Sequence, residues 1–165
     1  MKHMKAGVIL NMKTKNKNYY IMFWFYFELI IWFLWQLPQN LVALFMMPFI
    51  GKLRLVRFEN YCWAFEAEKM SGGISLGSFI FLSPDSAKHE TTIRHEYGHV
   101  VDSHIWGWLY LFAIGIPSLF WAMTIKEGQC YYDFYTEKRA NKFAGLKVGR
   151  NQYSCYTYIP KDNEE

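Results

Sequence analysis

His95 and His99 stand four residues apart in "RHEYGHVV", with Glu96 directly after the first. On a helix, residues i and i+4 share a face. Two imidazoles at that spacing can hold one ion between them. Glu96 lies one position round the helix, beside such an ion rather than on it. From there it can take a proton from a water that the ion polarises, and zinc brings the pKa of such a water to about 7. Gly98 keeps the helix thin where another element approaches. The plain alternative is an amphipathic helix whose polar residues face water, because a five-residue pattern also arises by chance.

A catalytic zinc normally has three protein ligands and an open position. A third histidine six residues after His99, as in metzincins, would fall on Ile105, and the matching glycine on Asp102, so that pattern fails. Membrane di-iron chemistry needs many histidines or two ExxH motifs. The chain has five histidines, at 3, 89, 95, 99 and 104, and one such motif, Glu96 to His99. A glutamate on a second helix is the other common solution. "FYTEKRANKFAG" supplies Glu137 and, four residues on, Asn141. Asn141 shares the face of Glu137 and can hydrogen-bond a ligand histidine from behind.

"HEYGH" followed by "EKRAN" resembles the gluzincin-type zinc metallopeptidases. It is most similar to the membrane-embedded prenyl-protein and heat-shock proteases, whose pattern is HExxH and then E-x-x-A-D. Here Asn141 occupies the aspartate position, so the amide can accept a hydrogen bond but adds no charge. The resemblance covers roughly residues 90 to 145 and is carried by the motifs alone. It implies His95, His99 and Glu137 as ligands of a zinc ion and Glu96 as general base. It does not fix the substrate; the chain is expected to be a zinc-dependent peptidase acting on a peptide or membrane-protein substrate, in a bacterial inner or cell membrane. The competing reading is a non-enzymatic membrane protein that keeps a metal-binding or degenerate site as a partner or immunity module.

The positioning elements are expected to be largely helical and membrane-associated. Hydrophobic residues make up 52% of the 165, aromatics 20%, and charged residues only 19%. "YYIMFWFYFELIIWFLWQL", residues 19–37, is long enough for a span of roughly 20 residues, although Glu28 sits within it. The basic run before it, with five lysines before residue 18, carries no base-stacking motif. It therefore reads as the flank of a membrane segment and not as a nucleic-acid contact. "PQNLVALFMMPFI" follows and is too short to cross alone. Lys52, Arg54 and Arg57 then put positive charge on the far side, which suits a hairpin with both ends, and the site, on the cytoplasmic side. Residues 105–123 form a second membrane-like run interrupted by Pro117.

The expected domains are a basic tail at 1–18, an anchor or hairpin at 19–50, a zincin-like domain at 51–150 that includes the second run, and a tail at 151–165. Residues 53–82 read as short strands. "SPDS" at 83–86 opens a helix through His99, a last helix covers 133–148, and "KDNEE" reads as disordered. The fold class expected is thus a mainly α membrane protein with a small β element over a zincin-like site. "GGISLGSFIFLS" reads as an edge strand able to pair with extended substrate, which makes Gly73 and Ser75 substrate candidates. His104 and the tyrosines 131, 132 and 135 could donate to an oxyanion. Cys62, Cys130 and Cys155 are odd in number and lack CxxC or CxxH spacing, so they argue against a disulfide framework and suit a reducing compartment, with room for one pair at most.

Overall fold

The computed structural model describes residues 2–151 and 154–160, with side chains from Tyr19 onward. The "KDNEE" segment lies outside the described residues. Helix α1 (Lys2–Trp35) leads into α2 (Leu37–Met46). Four strands follow: β1 (Leu53–Glu59), β2 (Cys62–Ala67), β3 (Gly73–Leu76) and β4 (Phe79–Leu82). Helix α3 (Glu90–Trp106), α4 (Ile116–Thr124), α5 (Tyr135–Phe143) and a hairpin of β5 (Lys147–Arg150) with β6 (Cys155–Tyr158) complete the order.

The first sheet has the order β1-β2-β4-β3, so β3 is an edge strand. β4 is buried along its whole length, which explains its unbroken apolar run "FIFL". Its period of two sends Phe79 and Phe81 to one face, against Ala43, Ile50, Ala67 and Leu76. Ile80 and Leu82 go to the other, against Ile93 and Val100 of α3. The sheet is therefore sandwiched between α2 on one side and α3 on the other. β3 turns into β4 through Gly77 and Ser78, with φ +64° at Gly77, a left-handed conformation that glycine adopts without a steric cost. Asn40 of α2 accepts from the Ser78 N–H at 2.8 Å and so clamps that turn.

The fold corrects the mainly α membrane reading. Among the described residues no single helix is long and apolar enough to cross a membrane, and six strands form two sheets. Tyr19–Trp35 and Leu37–Met46 reach the required length and composition only together, and they are bent by 87° at their junction. The cause lies in "WQLPQN". Pro38 removes a backbone donor where α1 would continue, and Gln36, Gln39 and Asn40 are fully buried. Gln39 donates to Ser103 Oγ and to the Gly107 carbonyl, both at 2.9 Å, and Ser103 donates to Gln36 at 2.7 Å. The supposed hairpin loop is thus the polar joint that fastens the N-terminal helices to α3. Glu28 is exposed and accepts from the Tyr61 hydroxyl at the β1–β2 turn.

The second apolar run is likewise broken. α3 continues to Trp106, Gly107 turns the chain at φ +51°, a π-helical turn spans Leu111–Gly115, and α4 starts with Pro117 in its first turn. Pro117 fits there because a first-turn proline forgoes no intrahelical bond.

Cys130 and Cys155 form a disulfide with Cα atoms 5.7 Å apart, the single pair for which three cysteines leave room. It ties the chain ahead of α5 to β6. A loop of this length gives a stabilisation of about 3 kcal/mol in the chain-entropy picture. Cys62 is free and buried, and burial pushes its thiol pKa up. Denatured, unreduced protein should therefore give one titratable thiol per chain, rising to three after reduction. Three thiols without reduction would show the pair to be open.

Candidate functional site

α3 and α5 cross where Gly98 of α3 has no room for a side chain. Gly98 faces the backbone of Ala140, and a Cβ on Gly98 would overlap the Ala140 carbonyl. The close crossing brings Glu137, on the first turn of α5, against His95 and His99 of α3. Glu137 Oε2 lies 3.0 Å from His95 Nε2 and 3.3 Å from His99 Nε2. All three residues are buried, and one ligand atom from each lies within 4.8 Å of the others. This group could hold a metal ion. The donor set fits one: bonds of about 2 Å at tetrahedral angles place ligand atoms roughly 3.3 Å apart.

The surroundings prepare each ligand. His95 Nδ1 is 2.8 Å from Asn141 Oδ1. A proton on Nδ1 donated to that oxygen leaves Nε2 as the ligating atom. Glu137 Oε1 accepts from Ser118 of α4 at 2.6 Å and from Thr136 at 2.8 Å, which turns Oε2 toward the histidines. Burial alone would push His95 down. The Glu137 hydrogen bond and the charges of Glu96 and Glu137 outweigh it, so its pKa lies above the usual imidazole value. Burial would likewise push Glu137 up, but the bonds from His95 and His99 hold it far below the carboxylate range.

Glu96, beside the ligand triad, reaches β3. Ser75 Oγ lies 2.7 Å from Glu96 Oε2 and 2.8 Å from its backbone carbonyl. Gly73 sits so close that a Cβ there would overlap Glu96 Oε1. A cavity of about 370 Å³ opens at this point, with Glu96, His99, Ser118 and Tyr131 at its polar end. Val42, Met46, Ile74, Leu111, Ile116 and Leu119 make its apolar wall. Gly73 and Ser75 of the edge strand β3 line it as well.

Of the oxyanion candidates, His104, Tyr132 and Tyr135 are placed outside the cavity. His104, on the last turn of α3, packs its ring against Trp32 at 4.5 Å, and burial lowers its pKa. The Tyr135 hydroxyl donates to the Ala113 carbonyl at 2.6 Å. Neither lines the cavity. Tyr131 does, and burial followed by the charges of Glu137 and Glu96 keeps its phenol protonated. Ser118 was not foreseen. It lies in the apolar run "IPSLF", and only the return of α4 beside α5 gives it a role. Comparison with protein families, curated proteins and solved structures finds no match for this chain.

The α3–α5 crossing is testable by volume. Gly98→Ala should part the helices, lower the denaturant midpoint by an amount worth about 1–3 kcal/mol, and reduce metal uptake. Gly72→Ala, where a Cβ would meet nothing within 4 Å, should change neither. A Gly98→Ala protein as stable and as metal-competent as the parent would refute the close crossing.

Proposed function

We propose that the chain is a zinc-dependent metallopeptidase. The observation that carries this reading is the position of Glu96: it lines the same cavity as the ligand candidate His99, with Ser75 on one of its oxygens. His95, His99 and Glu137 would hold the ion. Zinc there would supply a Lewis acid that polarises a carbonyl and acidifies a water. Glu96 takes a proton from the attacking water and passes it to the amine nitrogen as the peptide bond breaks. Ser75 holds the carboxylate in place through that transfer. Asn141 keeps His95 in the ligating tautomer without adding charge.

The cavity favours an extended peptide with a bulky apolar side chain. β3 is the free edge of its sheet, and exposed Gly73 lies on that edge over Glu96. A substrate strand laid there would bring its carbonyl to the polar end of the cavity. A neighbouring apolar side chain would fill the wall formed by α2 and α4. The Cys130–Cys155 disulfide favours an oxidising compartment for the site, in place of the cytoplasmic face expected from loop charge.

Glu96→Gln keeps the shape and removes the base. The variant should hold as much zinc as the parent and lose at least about 10²-fold in cleavage of peptides with bulky apolar residues. Zinc-loaded parent protein with no Glu96-dependent cleavage across a broad peptide library would contradict the reading.

A further inference from the structure

Gly115 ends the π-helical turn that leads into α4, and it lines the cavity beside Tyr110 and Leu111. Glycine is a poor residue for a helical backbone, so its presence there has a cause. Conformation does not supply one, because a φ of −61° and ψ of −56° suit any residue. Crowding does not supply one either. Gly77 and Gly107 hold positive φ, and a Cβ at Gly73 or Gly98 would overlap a neighbour. At Gly115 the nearest atoms to an added Cβ are in the Leu111 and Tyr110 side chains, at 3.4 and 3.5 Å, which is ordinary contact. Both of those side chains line the cavity, so the missing side chain leaves its volume to the cavity.

The turn that carries Gly115 is pinned on two sides. The Tyr110 hydroxyl donates to the Ser75 carbonyl of β3 at 3.1 Å, and the Ala113 carbonyl accepts from the Tyr135 hydroxyl at 2.6 Å. Ile114 between them is buried. A wall held this way cannot easily move aside for a side chain added to it. Ser118, Leu119 and Ala122 follow Gly115 on the same helix face and line the same cavity. Ser118 marks its polar end through the bond to Glu137, and Gly115 stands one turn before it. At about 370 Å³ the cavity is at the small end of ligand sites, with room for one large side chain. We propose that Gly115 sets the size of a side-chain pocket, so that the cavity takes an aromatic side chain ahead of a small one.

The assignment of a peptide side chain to this pocket rests on the metallopeptidase reading. The size of the pocket rests on the volume at one position, which a substitution can fill without harm to the fold. Alanine is the better helix former, so Gly115→Ala should leave the denaturant midpoint unchanged or raise it slightly. A glycine kept only for the path of the chain would behave the other way. Its loss would lower stability and leave selectivity alone.

The test uses the full chain loaded with zinc, its Gly115→Ala and Gly115→Val variants, and Gly72→Ala as control. The probes are the hydroxamates of N-acetylalanine, N-acetylleucine and N-acetylphenylalanine, whose chelating group would sit on the ion and whose side chain would enter the cavity. Affinity is read by calorimetry, zinc content by elemental analysis, and cleavage of peptides carrying the same three residues as kcat and KM. The parent should bind the phenylalanine probe at least about tenfold more tightly than the alanine probe. Gly115→Val should keep its zinc, lose at least about tenfold for the phenylalanine probe, and change little for the alanine probe. Gly115→Ala should fall between, and Gly72→Ala should match the parent. A parent indifferent to side-chain size, or a Gly115→Val form with the parent's preference, would overturn the pocket assignment. Equal losses for all three probes would overturn it too, because that is the result of a disturbed metal site. Zinc-loaded parent that sorts the probes by size yet cleaves no peptide would uphold the pocket and sink the metallopeptidase reading. A parent that binds none of the probes would sink both.

Discussion

A carboxylate with no solvent exposure is the constraint on which the rest depends. Glu137 is fully buried, and a buried charge left without partners is costly enough to unfold a domain of this size. Every group around it answers that cost. Two imidazoles converge on one of its oxygens, and two hydroxyls bond the other. A cation in the triad would do the same with more charge. Removing either histidine would leave the carboxylate undercompensated, a loss of about 3–5 kcal/mol for a buried pair broken on one side.

The architecture follows from the need to bring those groups together. α3 and α5 can approach only because Gly98 has no side chain, and the Asp102–Arg139 pair at 2.6 Å holds them a turn further along. α3 itself is fixed by the sheet through Ile93 and Val100 and by the buried amides of Gln36 and Gln39 through Ser103 and Gly107. α4 is carried back over the site by the irregular stretch after Gly107, and its arrival delivers Ser118. One end of the cavity is therefore polar and positioned from four elements, while the other is apolar.

The site was far more legible in the sequence than the frame. A spacing of four on a helix is local, so His95, His99 and the position of Glu96 could be read from "RHEYGH" alone. Glu137 and Asn141 share a helix face in the same way. What failed was the reading of apolar runs. Aromatic and aliphatic stretches at 19–37 and 105–123 have the composition of spans, but composition does not show where a chain bends. Gln36, Pro38 and Gly107 were the signals: amides and breakers placed where a span needs neither. The disulfide was hidden for another reason. Its partners are 25 residues apart with no motif spacing, and only the return of β6 brings them together. Of the oxyanion candidates, Tyr131 reaches the cavity while Tyr135 and His104 do not, a sorting that depends on tertiary contacts.

The central claim is that three side chains from two helices share one ion. Its most direct measurement is metal content by elemental analysis of protein purified without chelators, for the parent and for His95→Ala, His99→Ala and Glu137→Ala, with X-ray absorption at the metal edge. The parent should hold about one ion per chain, in a shell of two nitrogens from histidine and otherwise oxygens, and each substitution should lower that occupancy sharply. A parent that stays metal-free in excess zinc, or a Glu137→Ala protein that keeps its full complement of metal, would contradict the account.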